Sequence, residues 1–348
     1  MKRDIESIIS DKNIPWERLN GRTVLVTGAT GLIGKLLIKT LVKASEDMKL
    51  DIGIIAHVRN KNKAEDIFAD EISRFRTLEF MVSDICSVDP SGIKADYVIH
   101  AAAITDSGAF VNTPVEVIET NISGTSRLLE AALISGVKRF VYLSTMEVYG
   151  TPTDDRKITE DMSAGFDVSS PRNSYPLSKV MCESLCLNYY HEKKLPVTVL
   201  RLTQTFGPGV IPGDRRVFAQ FAQCAMEGQD IILHTKGETK RSYLYTADSV
   251  KAILAALLKD EAAGRIYNVA NEDSYCSIYE MARMVSEKLT QGRIKVLIQE
   301  EDCEARGYAP TLHMNLDTSR IRQELGWKWE TSLEDMYRNM IDDMERGF

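Results

Sequence analysis

The sequence predicts an α/β protein, a doubly wound parallel sheet with helices on both faces and a smaller α/β substrate lobe. Two observations carry this. Short apolar runs alternate along the chain with segments of helical period, which is the pattern of repeated strand–helix–strand units. The first run, Val24-Leu-Val-Thr27, breaks into Gly28, Gly31 and Gly34 and resumes at once as a helical pattern over residues 35–43. In sheets of this kind ligands sit beyond the carboxyl ends of the strands.

Each glycine has a mechanical reason. One permits the tight turn, one lets backbone amides approach a pyrophosphate, and one lets the new helix pack close on its strand. The helix N-terminus then offers unpaired N–H groups and a positive dipole end to phosphates. A dinucleotide is the expected guest, in a Rossmann-type domain, with Gly28, Thr30, Gly31, Leu32, Ile33 and Gly34 around it.

Further along, residues 51–58 read as a second buried strand, Leu78–Val82 as a third and residues 97–101 as a fourth, with helical patterns between them. Residues 140–144, Val197–Leu202 and residues 266–269 are further strands, and Pro114–Ser135 and residues 175–193 are helices. From 206 to 242 the pattern turns irregular, with Gly207-Pro-Gly209 and Pro212-Gly213 marking turns before a helix at 216–227. This reads as an inserted lobe that recruits residues 277–289 and the tail from Glu300, including 333–346, while 245–269 returns to the main sheet. The expected division is an amphipathic extension at 1–20, a main domain at 21–203 and 243–272, and a lobe at 204–242 and 273–348.

At 348 residues and 44% hydrophobic content, the chain suits a large soluble globule. A formal charge of -7 argues against a nucleic-acid surface, which needs clustered Lys and Arg in excess. No apolar run approaches the ~20 residues of a membrane span, and the start lacks the apolar core of a signal peptide, so a cytoplasmic location is expected. The six cysteines form no CxxC pair and have no nearby His partners, so neither a metal site nor a disulfide framework is expected. Cys182 and Cys186 lie one helical turn apart, the spacing either of a buried helix face or of a redox pair.

Tyr175-Pro-Leu-Ser-Lys179 places a phenol and an ammonium four residues apart, on one helix face and within mutual reach. An adjacent cation favours the phenolate, which can take a proton from a sugar hydroxyl. As hydride leaves the same carbon for nicotinamide, the developing carbonyl is held by Tyr175 and a hydroxyl from another strand end. The same spacing also occurs on ordinary helices.

The chain resembles the extended short-chain dehydrogenase/reductases, the group of nucleotide-sugar epimerases, dehydratases and decarboxylases. The resemblance covers most of the chain. It rests on Thr27-Gly-Ala-Thr-Gly-Leu-Ile-Gly34, Asp84-Ile85, His100-Ala-Ala-Ala103, Asn121-Ile-Ser-Gly-Thr125, Leu143-Ser-Thr-Met-Glu-Val-Tyr-Gly150, Tyr175 to Lys179, Arg201-Leu-Thr-Gln-Thr-Phe-Gly-Pro208, Arg241-Ser-Tyr-Leu-Tyr245 and Leu325-Gly-Trp327. It implies an NAD- or NADP-dependent enzyme that modifies a nucleoside-diphosphate sugar through transient oxidation at C4, in polysaccharide biosynthesis. By the same resemblance Tyr175 is the base, Lys179 lowers its pKa and binds the nicotinamide ribose, and Thr145 hydrogen-bonds the sugar oxygen. Asp84 and Ile85 meet the adenine, Ala101, Ala102 and Ala103 line the cofactor, and Asn121 buttresses the central helix. Thr105, Met146, Gln204, Arg216 and Arg241 are the implied substrate contacts. Gln204 stands where the family usually carries Asn. The two arginines match a diphosphate clamp and are otherwise solvated charges. A homodimer is implied through the helices beginning near Pro114 and Tyr175, in a four-helix interface.

Two departures from the family pattern bear on the reaction. In Thr145-Met146-Glu147 only the Glu survives of the acid–base pair typical of the sugar dehydratases. Glu147 is either a second base, for the C5 proton made acidic by C4 oxidation, or a loop anchor. Expelling the C6 hydroxyl needs an acid, which methionine is not, so epimerisation or a UDP-glucuronate-decarboxylase-like reaction is favoured over dehydration. The second departure lies at the end of the second strand. NAD-using members present an Asp there, whereas this chain offers Arg59-Asn60-Lys61 and then Lys63, a set that attracts a 2′-phosphate unless it is simply a solvated turn. With NADPH as partner, a reductase of a nucleotide-linked keto sugar is the alternative. A non-catalytic dinucleotide sensor has no need of Thr145, Tyr175 and Lys179.

Overall fold

The computed structural model describes residues 1–75, 77–211, 213–301 and 310–347. Helix α1 (Lys2–Ile9) precedes strand β1 (Arg22–Thr27), and α2 (Leu32–Met48) starts directly after the glycine turn with Gly31 as its N-cap. Then come β2 (Ile52–Val58), α3 (Lys61–Ile67), α4 (Ala69–Arg74), β3 (Leu78–Val82), β4 (Tyr97–His100), α5 (Ser107–Asn112), α6 (Pro114–Ser135), β5 (Arg139–Thr145), α7 (Ser174–Lys193) and β6 (Val197–Leu202). The second part runs β7 (Gln204–Phe206), α8 (Val217–Glu227), β8 (Ile231–Leu233), β9 (Lys240–Tyr245), α9 (Thr246–Leu258), β10 (Arg265–Val269) and β11 (Asn271–Ser277). It ends with α10 (Ile278–Met284), β12 (Val296–Ile298), β13 (His313–Met314), α11 (Ser319–Leu325) and α12 (Leu333–Glu345).

Seven strands form one parallel sheet in the order β10-β6-β5-β4-β1-β2-β3. The chain winds outward in both directions from the β1/β4 pair, so a crevice opens outside the carboxyl ends of those two strands. Thr27 and His100 are register partners at that end. A second sheet of four strands joins β11, β9, β13 and β7, and β8 pairs with β12.

Several elements differ from the sequence reading. No α-helix joins β3 to β4. Two 3-10 turns, Ile85–Ser87 and Pro90–Gly92, do so, each opened by an Asp side chain that accepts from a backbone N–H two residues on. Residues 243–245 and 271–272, expected in the main domain, pair in the smaller sheet. Within residues 277–289, recruited to the lobe, α10 ends at Met284 and continues as a π turn over Val285–Leu289. Pro212 and Cys303 lie outside the described residues.

The first twenty residues belong to the main core. Ile8, Ile14, Trp16 and Leu19 are buried in the same cluster as the sheet, and Tyr245 Oη donates to Asp4 at 2.7 Å. Cys182 and Cys186 are both fully buried and free, with the Cys182 thiol 3.2 Å from the Asn121 carbonyl. Of the two readings for that pair, the structure gives the buried helix face. Among the described residues no helix is long and apolar enough to cross a membrane.

Every residue of α9 is buried, as a helix wedged between two sheets must be. Inside it, burial pushes the Asp248 carboxyl up to about 6, against the pull of the Glu330 and Thr331 amides and of Lys251. The folded chain therefore holds this proton more tightly than the unfolded one. The stability it contributes is fully present below about pH 4 and is lost as pH rises through about 6. Asp248→Asn keeps an acceptor oxygen and removes the buried charge. Calorimetry should find the variant's melting temperature gaining on the parent's between pH 4 and 7.5, and a constant difference would reject this account.

Candidate active site

The floor of the crevice is built by two backbone segments crossing at van der Waals distance. Gly28 has φ +65°, and a Cβ there would stand 2.9 Å from the backbone of Ala101 and Ala102. A Cβ on Gly34 would stand 2.2 Å from the Gly28 carbonyl oxygen, so the first turn of α2 lies directly on the glycine turn. Above this floor a cleft of about 520 Å³ crosses the sheet ends. Gly28, Thr30, Gly31, Leu32, Ile33 and Gly34 line it at one end, with Asp84, Ile85, Ala101, Ala102 and Ala103 beside them. Arg59, Lys63 and the buried His57 border the same end. Asn60 does not: its side chain caps α3, accepting from the Lys63 amide at 3.0 Å. These residues fit a dinucleotide, because the cradle is one that any side chain at Gly28 or Gly34 would fill.

At the centre of the cleft, β5 delivers Thr145 and the first turn of α7 delivers Tyr175. The phenol sits beside the Thr145 hydroxyl, which favours its charged form. Burial pushes its pKa well above the usual tyrosine range, and the charge of Glu147 pushes the same way, against Thr145 and Arg172. Lys179 lies one turn further along α7, on the face that carries Tyr175. Its ammonium donates to the Leu143 carbonyl at 2.8 Å, lies 4.7 Å over the Tyr142 ring and is 5.9 Å from the Tyr175 ring. Burial lowers the Lys179 pKa to about 8. Asn121 of α6 donates to Ser178 at 2.8 Å, and Ser178 donates to the Tyr175 carbonyl at 2.9 Å, so α6 holds the turn that carries the phenol.

Two residues that the sequence reading missed close a ring around this centre. Phe110 of α5 stacks on Tyr175 with centroids 4.4 Å apart and 6° between planes. Arg172 lies 4.9 Å over Phe110 and pairs with Glu147 at 2.9 Å, while the Glu147 amide donates to Thr145 at 3.2 Å. Arg172 stands three residues before Tyr175, a spacing that was readable. Phe110 sits on a six-residue helix, too short to show a period.

Toward the smaller sheet the cleft is lined by Thr105, Met146, Gln204, Arg216 and Arg241. The Met146 thioether lies 3.1 Å from the Thr203 hydroxyl, whose one proton goes to the Ser242 carbonyl, so a sulfur with no proton to give lines this part of the cleft. Arg216 pairs with Asp214 and lies 4.7 Å over Phe218. Arg241 Nε is buried without a hydrogen-bond partner among the described residues, which suits a guanidinium awaiting an anion. Among the described residues no group of three or more His, Cys, Asp or Glu could hold a metal ion.

The model of the NAD-dependent epimerase/dehydratase family matches residues 24–270. The chain is 29% identical over 318 residues to UDP-N-acetyl-alpha-D-glucosaminuronate decarboxylase of Bacillus cytotoxicus, spanning 89% of this chain and 95% of that one. It is 28% identical to dTDP-D-glucose 4,6-dehydratase of Mus musculus, spanning 94% and 90%. Among solved structures it is similar in fold to an epimerase of Methanothermobacter thermautotrophicus, with a TM-score of 0.79, 24% identity and coverage of 96% and 95%. UDP-glucose 4-epimerase of Thermotoga maritima, solved with UDP-glucose, gives 0.77, 24% identity and coverage of 93% and 99%.

Proposed function

The chain is an enzyme of the NAD-dependent epimerase/dehydratase family, and on that premise we propose that it oxidises C4 of a nucleoside-diphosphate sugar and then decarboxylates or epimerises the product. The observation that carries this is the meeting of Thr145, Tyr175 and Glu147 at one cleft wall with Met146 between them. A nicotinamide dinucleotide, when bound, supplies the hydride acceptor. Tyr175, as the phenolate, takes the C4 hydroxyl proton, and Thr145 beside it hydrogen-bonds the oxygen as it becomes a carbonyl. Decarboxylation of a C4-keto uronate needs no acid at C6, so Met146 is no obstacle to it. The name of the Bacillus cytotoxicus relative supports a uronate. Arg241, with its unpartnered Nε, and Arg216, released from Asp214, receive the diphosphate.

The cleft lies between a dinucleotide domain, formed by 1–203 and 246–270, and a substrate lobe at 204–245 and 271–348. Exposed Val115, Ile118, Leu133 and Ile134 on α6, with Val180 and Met181 on α7, support a homodimer through these two helices. The enzyme would act in the cytoplasm, where nucleotide sugars are at hand. Mass spectrometry of UDP-, dTDP-, GDP- and CDP-linked hexoses and uronates after incubation with NAD⁺ tests the reaction. Loss of carbon dioxide, or a product of unchanged mass in H₂O that takes up deuterium when the reaction runs in D₂O, supports the proposal, and loss of water overturns it.

Arg59 and Lys63 at the dinucleotide end favour a second reading, an NADPH-dependent reductase of a keto sugar. Arg59→Ala is then expected to weaken NADP(H) about tenfold more than NAD(H), the loss of one charge-assisted pair with the 2′-phosphate. Fluorescence titration of both cofactors measures this, and equal losses remove Arg59 as a phosphate reader.

A further inference from the structure

We infer that His100 is a positioning residue, locked as a neutral imidazole with its proton on Nε2, that pins the glycine turn to the alanine loop beneath the dinucleotide. The argument starts from Thr27. Its hydroxyl oxygen accepts from the amides of Ala101 at 3.2 Å and Ala102 at 3.1 Å, which occupies both lone pairs. The single hydroxyl proton therefore goes to His100 Nδ1, 2.8 Å away, and that nitrogen must be bare. Nε2 carries the ring proton and donates to Thr125 Oγ1 at 3.1 Å.

Thr27, His100 and Thr125 are all buried, and the ring packs beside Phe140 and Tyr142. Burial holds His100 well below the usual histidine range, and the charged or titratable neighbours Lys179 and His57 act in the same direction. A second proton on this ring would set two donors against the Thr27 hydroxyl and force it to release the amides.

The pin matters because of what it spans. Thr27 ends β1 and His100 ends β4, the two strands between which the crevice opens, and their following residues cross where Gly28 allows no Cβ. Thr125 lies one turn along α6 from Asn121, which holds the Ser178–Tyr175 turn. One face of α6 thus ties the dinucleotide floor and the phenol-bearing helix to the same support. His100 touches neither ligand nor reacting atoms.

The inference rests on the dinucleotide reading, and the experiments on the full-length chain separate the two. In the imidazole nitrogen spectrum, the resonances lost in His100→Asn should report a bare Nδ1 and a protonated Nε2, unchanged from about pH 5 to about pH 8. A cationic ring or the other tautomer overturns the proposal, whether or not any variant folds. Amide hydrogen exchange at Ala101 and Ala102 should quicken about tenfold or more in Thr27→Val and His100→Gln. It should stay near the parent rate in His100→Asn, whose carboxamide oxygen replaces Nδ1. Equal rates in all three overturn the pin. NAD⁺ and NADP⁺, each titrated alone, should lose affinity in the same order as exchange quickens, and unaltered affinity in His100→Gln overturns the positioning role. Should the parent bind neither dinucleotide, the cofactor reading fails, while the spectrum and the exchange rates still decide the pin.

Discussion

Tyr175→Phe is expected to lower turnover about 10²–10⁴-fold, the usual contribution of a positioned proton-transfer group, and to leave dinucleotide affinity nearly unchanged. The phenyl ring keeps its stack on Phe110 and loses only the oxygen that meets Thr145. Packing is conserved, so a fall in turnover in a variant that melts normally reports chemistry rather than structure. The parent carries a second signature. Burial and the charge of Glu147 hold the phenol proton tightly, so a rate that depends on the phenolate should climb with pH through the neutral and alkaline range. Tyr175→Phe should abolish that climb along with the rate. Parental activity in the variant would remove Tyr175 from the mechanism.

Arg201→Met is expected to cost about 3–5 kcal/mol of folding stability, because it leaves a buried carboxylate without its partner. The guanidinium on β6 donates to both oxygens of Glu183 on α7, at 2.6 Å in the shortest contact, to the Tyr149 hydroxyl at 2.7 Å and to the Glu160 carbonyl at 3.0 Å. The same carboxylate accepts from Ser144 at 2.5 Å, one residue before Thr145. Burial alone would lower the Arg201 pKa, yet the bonds and charge of Glu183 raise it above the ordinary arginine value. Urea denaturation measures the loss. Adding Glu183→Gln to Arg201→Met should return a large part of it, since the second change removes the orphaned charge. A double variant no more stable than the single would show that the guanidinium packs rather than pairs.

The sheet was readable because buried parallel strands carry near-continuous apolar runs, as at Val24–Val26 in β1 and 140–143 in β5, which offer no competing period. The glycine turn was readable for a different reason. Gly28 and Gly34 answer to backbone approach distances, which only one residue type satisfies. The missing helix between β3 and β4 is a case of local capping defeating pattern, with Asp84 and Asp89 turning the chain before a helix can nucleate. Strands of two or three residues, such as β7, β8, β12 and β13, are too short to carry alternation and exist only through their partners. Of the site, residue 175 could be named from its spacing to Lys179, and residues 145 and 147 only through the family resemblance. The Glu147–Arg172 pair and the Phe110 stack could not, because they join loops that only the folded sheet brings together. The bond of the Lys179 ammonium to the Leu143 carbonyl, like these, joins elements far apart in sequence and left no trace in the spacing.

The smaller sheet also dictates an order of assembly. Its members come from residues 204–206, 240–245, 271–277 and 313–314, so no two of its ladders can close until most of the chain has left the ribosome. The seven-stranded sheet, by contrast, lacks only β10 once residue 202 has emerged. For an interval of synthesis the nascent chain would therefore carry a finished dinucleotide floor with one wall of its cleft missing. A cofactor able to bind that half-built cleft would act as a folding template, stabilising the early domain while the last hundred residues arrive.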